Sequence, residues 1–273
     1  GHVDFTVEVE RALRVLDGEV AVFDAVAGVE PQSETVWRQA TRYGVPRICF
    51  INKMDRIGAD FFASVDSIAS RLEATPLILQ LPVGSEGGFR GVIDLIEMKA
   101  HLWPDGMGDR WDTVEIPADL AADAEKWRHV MLEKVAETDE HLLERYLEDS
   151  PIDPDEIRQA IRAATLAGRF HPVLMGSSFR NKGVQPLLDA VVSYLPSPVE
   201  LPPVQGFKPG LEHEAVSRRP EDSEPFAALA FKIMSDPYVG KLTYFRVYSG
   251  HAAKGDGVFN STTERKERLG RLL

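Results

Sequence analysis

The feature that most constrains this chain is a short apolar strand that ends abruptly in a polar loop. Residues Ile48–Ile51 are apolar, and Asn52–Asp55 follows at once with the order Asn-Lys-Met-Asp. Side chains placed just beyond the carboxyl end of a parallel strand lie where open α/β sheets bind their ligands. The stretch therefore predicts a parallel α/β sheet with a ligand site at this strand end.

The chemistry of the loop favours a guanine base. An ionised Asp55 can accept hydrogen bonds from both N1–H and the exocyclic N2 amine of guanine, whereas adenine offers no such pair of donors. Asn52 supplies amide groups for the base edge and for neighbouring loops, and Lys53 can lay its aliphatic stem over the base. A plain polar turn after a buried strand remains an alternative for these four residues taken alone.

A second turn has the same placement. Gly176, Ser177 and Ser178 follow the predicted strand Pro172–Met175, and a backbone N–H of this turn would reach O6 of guanine. Such turns are common in proteins, so this one carries little weight by itself. Paired with Asn52–Asp55, it indicates a guanine site built from two strand ends.

Hydrophobic periodicity divides the chain into five parts. Helices and strands alternate at first, which favours right-handed crossovers and a parallel sheet. We expect short strands and one long helical region (118–148) in an inserted α+β part, and an antiparallel β-barrel, left incomplete, at the carboxyl end. The predicted boundaries are residues 1–75 and 169–195 for the nucleotide-binding part, 76–168 for the insertion, 196–225 for a linker and 226–273 for the partial barrel.

Charge and composition narrow the functional classes. Of the formal net charge of −12, residues 91–165 hold −11, with 19 acidic against 8 basic side chains, so the insertion is a distinct acidic module. No apolar run approaches the ~18 residues of a membrane span. The single cysteine, Cys49, lies in an apolar strand, which fits a reducing cytoplasm, and no Cys/His cluster suggests a metal site.

The phosphate end of a nucleotide site is absent from the 273 residues. GTPases cradle phosphates in the loop G-x-x-x-x-G-K-[ST], and the sequence has no such motif. The residues therefore predict a base-reading half-site.

The chain as a whole resembles bacterial elongation factor G, including its insertion and its Pro-rich stretch. The resemblance is carried by four segments, Gly1–Glu10 (GHVDFTVEVE), Gly28–Ala40 (GVEPQSETVWRQA), Asn52–Arg56 (NKMDR) and Asn181–Gln185 (NKGVQ). It implies a P-loop-GTPase-type sheet, GTP/GDP as ligand with Mg²⁺ in the intact protein, and a fragment that lacks the phosphate loop, the first switch and the later domains. At Ser178 the family more often has Ala.

The resemblance also implies roles and partners. The backbone N–H of Gly1 would meet the γ-phosphate, and His2 would position the attacking water. GTP hydrolysis would drive tRNA and mRNA through the ribosome, where the protein, a cytoplasmic monomer, would contact ribosomal RNA and the flexible stalk protein. We expect the acidic face around Glu133, Glu137, Glu140 and Glu144 to dock the stalk protein.

Two alternatives remain open at this point. The first is a paralogous ribosome-protection or release-type GTPase, against which Gly28–Ala40 and the form of the insertion argue. The second is a non-catalytic ribosome-binding module, which the missing phosphate loop favours for the polypeptide as it stands. Preference for guanine nucleotides separates the second from a GTPase.

Overall fold

A computed structural model describes residues 11–104, 108–209, 211–238 and 240–273. The described chain forms two compact units, one of residues 16–196 and one of residues 11–15 with 197–273. The strands of the first unit are β1 (Glu19–Asp24), β2 (Arg47–Asn52), β3 (Pro76–Ile78), β4 (Gln80–Val83), β5 (Gly91–Asp94), β6 (Lys99–Leu102), β7 (Asp112–Val114) and β8 (His171–Met175). Its helices are α1 (Pro31–Arg42), α2 (Phe61–Leu72), α3 (Ala121–Ala136), α4 (Glu140–Leu147), α5 (Pro154–Leu166) and α6 (Val184–Tyr194).

The predicted parallel sheet is confirmed. Its strand order is β1-β2-β8-β3, and every pairing is parallel. β2 lies in the middle of this sheet, and Ile48, Cys49, Phe50 and Ile51 are each at most 2% exposed. A strand that is buried on both faces explains the unbroken apolar run that precedes the polar loop. The chain is of the α/β class, with antiparallel sheets in addition.

The predicted start of the insertion was placed too early. β3 pairs in parallel with β8, with Leu77 opposite Pro172, so residues 76–78 belong to the parallel sheet. The chain leaves that sheet only at Leu79, and β4 begins at the next residue. The prediction took Thr75-Pro76 as a boundary, but proline is tolerated at the first residue of a strand, where Pro76 lies here.

The inserted part begins with an antiparallel meander, in the order β4-β5-β6-β7, and continues into α3 and α4. The helical region predicted over 118–148 is present, but it consists of two helices, α3 and α4, and is not continuous. Asp139 separates the two helices, because its carboxylate accepts hydrogen bonds from the N–H groups of His141 and Leu142 and so caps the start of α4. In the part of the chain that is described, no helix is both long and apolar enough to cross a bilayer.

The second unit consists of antiparallel pairs. Its strands are β9 (Val204–Lys208), β10 (Leu211–Arg218), β11 (Ala227–Asp236), β12 (Gly240–Ser249), β13 (Gly257–Asn260) and β14 (Arg265–Arg268), paired as β9 with β10, β11 with β12 and β13 with β14. The β9–β10 hairpin lies within 196–225, so the prediction of a linker there is wrong. Every residue of β9 is exposed, and such a strand lacks the apolar alternation by which strands are detected.

Candidate functional site

The two predicted base-reading loops meet at the carboxyl ends of β2 and β8. Asn52 donates from Nδ2 to the hydroxyl of Ser178 at 3.0 Å, and its Oδ1 accepts the backbone N–H of Ser178 at 2.9 Å. Backbone hydrogen bonds extend this contact, because the N–H of Met54 donates to the carbonyl of Gly176 at 3.1 Å. One asparagine side chain thus joins loops that lie 126 positions apart in the sequence.

The same contact uses a donor that was expected to serve the ligand. The N–H of Ser178 already donates to Asn52, so a further hydrogen bond from it to a base would be shared. Ser177 is 1% exposed, and its backbone N–H donates to the carbonyl of Lys182. Its hydroxyl oxygen has no hydrogen-bond partner within the described chain. The buried hydroxyl of Ser177 therefore needs a hydrogen-bond partner, which a small rearrangement or a bound water would supply.

Two glycines permit the tight packing of the second loop. A Cβ on Gly176 would lie 2.3 Å from the carbonyl oxygen of Lys182 and 2.9 Å from Cζ of Phe50. Gly183 has φ +80°, and a Cβ there would lie 2.4 Å from the carbonyl oxygen of Met175. Both positions need glycine because a side chain would collide with backbone atoms.

The Asp55 carboxylate lies beside a residue of the second loop. The side chain is 25% exposed, and Oδ2 lies 3.6 Å from Nε of Arg180, which belongs to the opposite loop. The guanidinium of Arg180 also lies 5.7 Å from the ring centroid of Phe179, and Phe179 is 90% exposed. Sequence reasoning missed both residues, although an aromatic residue directly after a predicted base-reading turn is a usable signal.

Lys53 is held by a residue that sequence reasoning also missed. Its Nζ donates to Oδ2 of Asp24 at 2.5 Å, and Nη1 of Arg56 lies 4.0 Å from the same oxygen. Oδ1 of Asp24 accepts the N–H groups of Val26 and Ala27, so the chain turns directly after β1. Burial alone would raise the pKa of Asp24, but the hydrogen bonds from Lys53 and from these two N–H groups lower it overall.

The predicted catalytic end is not part of this geometry. Gly1 and His2 lie outside the described residues. Among the described residues, no group of three or more His, Cys, Asp or Glu side chains could hold a metal ion. The described loops bring together a carboxylate acceptor (Asp55), an amide (Asn52) and an exposed aromatic ring (Phe179).

Comparison with known proteins identifies the family. The family model "Elongation factor Tu GTP binding domain" matches residues 1–197. The protein ttk003000868 from Thermus thermophilus, whose crystal structure is known, is similar to this chain: the match covers 98% of the chain at 30% sequence identity, with a TM-score of 0.78. The match takes in 37% of that protein, so the present chain spans little more than a third of its length. With its parallel sheet, its paired loops and this match over most of its length, the chain belongs to the elongation factor Tu GTP binding domain family of translational GTPases.

Proposed function

We propose that this chain reads the guanine base of GTP and GDP, as part of a translation elongation factor of the elongation factor G type. The observation that carries the proposal is the double hydrogen bond between Asn52 and Ser178. It joins the two loops that the sequence, taken together, predicts to read a base, at the sheet edge where α/β proteins bind nucleotides.

Each residue of the site has a distinct role in this proposal. The Asp55 carboxylate accepts hydrogen bonds from N1–H and the N2 amine of guanine. Arg180, whose Nε lies 3.6 Å from this carboxylate, either moves away when the base binds or stays as its counter-charge. Lys53 lays its stem along one face of the base. The exposed ring of Phe179 is available for stacking on the base. Asn52 keeps the turn at Ser177 and Ser178 within reach of O6.

The reaction of the intact protein is in-line attack of water on the γ-phosphate, which relies on positioning and electrostatics. His2 would orient the water and the N–H of Gly1 would bind the γ-phosphate, and both roles rest on the resemblance to elongation factor G. Mg²⁺ would neutralise phosphate charge when bound. Hydrolysis would drive the movement of tRNA and mRNA on the ribosome.

The partners follow from the same proposal. The protein acts as a cytoplasmic monomer on the ribosome, in contact with ribosomal RNA and with the stalk protein. Support for the stalk contact comes from the insertion, where the predicted acidic residues are all exposed on α3, α4 or the turn between them, namely Glu133, Glu137, Glu140 and Glu144. An exposed acidic surface attracts a basic partner and speeds its encounter.

The experiment that tests base reading is a titration with fluorescent GDP, with fluorescent ADP as control. It is made on this chain and on a longer version that carries a phosphate-binding loop on its amino-terminal side. Binding of GDP but not ADP by either version supports the proposal. If neither version discriminates, Asn52–Asp55 is not a base site, and the non-catalytic ribosome-binding module becomes the better account. A translocation assay on the longer protein then separates a translocase from a ribosome-protection or release-type GTPase.

A further inference from the structure

A turn of the inserted sheet contacts both base-reading loops. The turn runs over residues 85–90 and connects β4 to β5. The carboxylate of Glu86 accepts the backbone N–H of Gly58 at 2.7 Å, three residues after Asp55 in the same loop. The backbone carbonyl of Phe89 accepts Nζ of Lys182 at 3.1 Å, and Lys182 belongs to the loop after β8.

The turn is built to hold Glu86 in place. Glu86 has φ +51°, a left-handed conformation that costs a residue with a side chain roughly 1–2 kcal/mol. The N–H of Phe89 donates to the carbonyl of Glu86, and Phe89 itself is 2% exposed and packs in the core. An unfavourable backbone conformation that is fixed by its surroundings is often associated with function.

The loop over residues 53–58 receives this contact at one of its two sharp turns. Gly58 has φ +83° and Lys53 has φ +67°, so the loop turns sharply at both of its ends. Within the loop, the N–H of Arg56 donates to Lys53 and that of Ala59 donates to Arg56. The N–H of Gly58 instead points to a charged acceptor from another part of the fold, and such hydrogen bonds are the stronger kind.

A second part of the insertion braces the other loop. The carbonyl oxygen of Gly108 accepts hydrogen bonds from Nδ2 of Asn181 at 3.2 Å and from Nε2 of Gln185 at 3.1 Å. A Cβ on Gly108 would lie 2.3 Å from the carbonyl oxygen of Arg180, so the backbones are in close contact. The inserted part therefore contacts each base-reading loop through hydrogen bonds.

We infer that Glu86 is a positioning residue for the guanine site: by holding Gly58 it fixes the loop that carries Asp55, and so slows the release of guanine nucleotide. This inference rests on the proposed function. It makes the inserted sheet a determinant of nucleotide affinity, besides any surface that it offers to a partner.

The test compares three variants. Glu86→Gly removes the carboxylate and also relieves the left-handed backbone, so its thermal stability should stay close to that of the unaltered protein. Glu86→Gln keeps an acceptor without the charge, and it serves if the glycine variant does not fold. Glu115→Gln is the matched control, because Glu115 is an exposed carboxylate of the inserted part that pairs with Lys99 and contacts neither loop.

Two measurements are made. Dissociation of fluorescent GDP is followed in the version that binds it, and amide hydrogen exchange of residues 55–59 is followed in the chain without nucleotide. For Glu86→Gly we expect GDP to leave about three to ten times faster, with faster exchange over 55–59 at an unchanged melting temperature. Glu86→Gln should show a smaller change in both quantities, and Glu115→Gln should show none.

The outcomes separate the two proposals. If the unaltered protein prefers GDP but Glu86→Gly releases it at the same rate, the role of Glu86 is overturned while the base site stands. If the unaltered protein shows no preference for guanine, the proposed function fails. The hydrogen-exchange data then decide separately whether Glu86 orders the loop. Unchanged exchange over residues 55–59 in Glu86→Gly would show that it does not.

Discussion

Nζ of Lys53 donates to Oδ2 of Asp24 at 2.5 Å, so the lysine of the base-reading loop is held by the end of the neighbouring strand. The Lys53 side chain is 45% exposed and that of Asp24 is 19% exposed. In such a half-exposed pair the ionic attraction contributes less than about 1 kcal/mol to stability. Its consequence is positional, because Asp24 holds the Lys53 side chain beside the end of β1.

The first prediction concerns this ion pair. Asp24→Asn retains Oδ1 as acceptor for Val26 and Ala27 but removes the charge that holds Lys53. We expect GDP to bind about two to five times more weakly, which corresponds to at most about 1 kcal/mol. The melting temperature should change little. Equal GDP affinity in Asp24→Asn and the unaltered protein would mean that the ion pair with Asp24 does not contribute to nucleotide binding by Lys53.

The second prediction concerns base selectivity. Xanthine carries a carbonyl oxygen where guanine carries the N2 amine. In Asp55→Asn the NH₂ group of the asparagine replaces one carboxylate oxygen, so it can donate to the xanthine carbonyl but cannot accept from the guanine amine. We expect GDP affinity to fall by about a hundredfold and xanthosine diphosphate to bind in its place, since each mismatched polar contact costs about 1–3 kcal/mol. Competition between the two nucleotides on one sample measures the exchange of preference. A loss of GDP affinity with no gain in xanthosine diphosphate affinity would show that Asp55 does not read the base edge.

The third prediction concerns the second loop. Gly176→Ala places a methyl group 2.3 Å from the Lys182 carbonyl and 2.9 Å from Phe50. Overpacking of this kind costs about 1–3 kcal/mol, and the loop would have to move away from Asn52. We expect lower stability and weaker GDP binding together. Gly206→Ala is the control, because a Cβ at Gly206 meets nothing within 4 Å; the same loss in both variants would refute the steric argument.

Local patterns in the sequence were enough to place the parallel sheet and the meeting of its loops. The run Ile48–Ile51 is apolar because β2 is buried on both faces, and a polar loop after such a strand lies at the ligand edge by geometry alone. The break between α3 and α4 was also predictable, since Asp139 is a typical N-cap residue within an otherwise helical pattern.

The remaining contacts leave no local signal. Glu86 accepts from a backbone N–H 28 residues away, and any residue could supply that N–H. Asp24 looks like an ordinary strand end until the fold brings Lys53 beside it. The hairpin over 204–218 was missed because β9 has no buried face. These features depend on the packing of distant segments and not on the order of residues within a segment.

The fourth prediction concerns the acidic surface of the insertion. Replacing Glu133, Glu137, Glu140 and Glu144 together by lysine changes the local charge by eight units on exposed positions, with little expected effect on folding. We expect stalk-stimulated GTP hydrolysis by the longer protein to fall at least several-fold, with a weaker dependence on salt. Basal hydrolysis without ribosomes serves as the internal control. Unchanged stimulation would place the stalk contact elsewhere.

A buried histidine gives the fold a pH dependence of its own. His171 opens β8, is 7% exposed and packs edge-on against Trp37 with ring centroids 4.8 Å apart. Burial, followed by the nearby charge of Arg47, lowers the pKa of His171 from 6.5 to about 4, although a hydrogen bond with the Arg47 backbone partly opposes this. The histidine is thus neutral in the folded protein at pH values where the unfolded chain is already protonated.

The fifth prediction follows from the sign of that shift. Between pH 6.5 and pH 4 the unfolded state binds more protons at His171, so the free energy of unfolding should fall as the pH is lowered, by up to about 3 kcal/mol at pH 4. His171→Phe keeps a ring against Trp37 but cannot be protonated, so its stability should decline less over the same range. Urea unfolding followed by tryptophan fluorescence measures this, because all four tryptophans lie in the unit of residues 16–196. If the free energy of unfolding fell equally with pH in the unaltered protein and in His171→Phe, the pKa of His171 would be the same in the folded and unfolded states. Its burial would then not disfavour protonation.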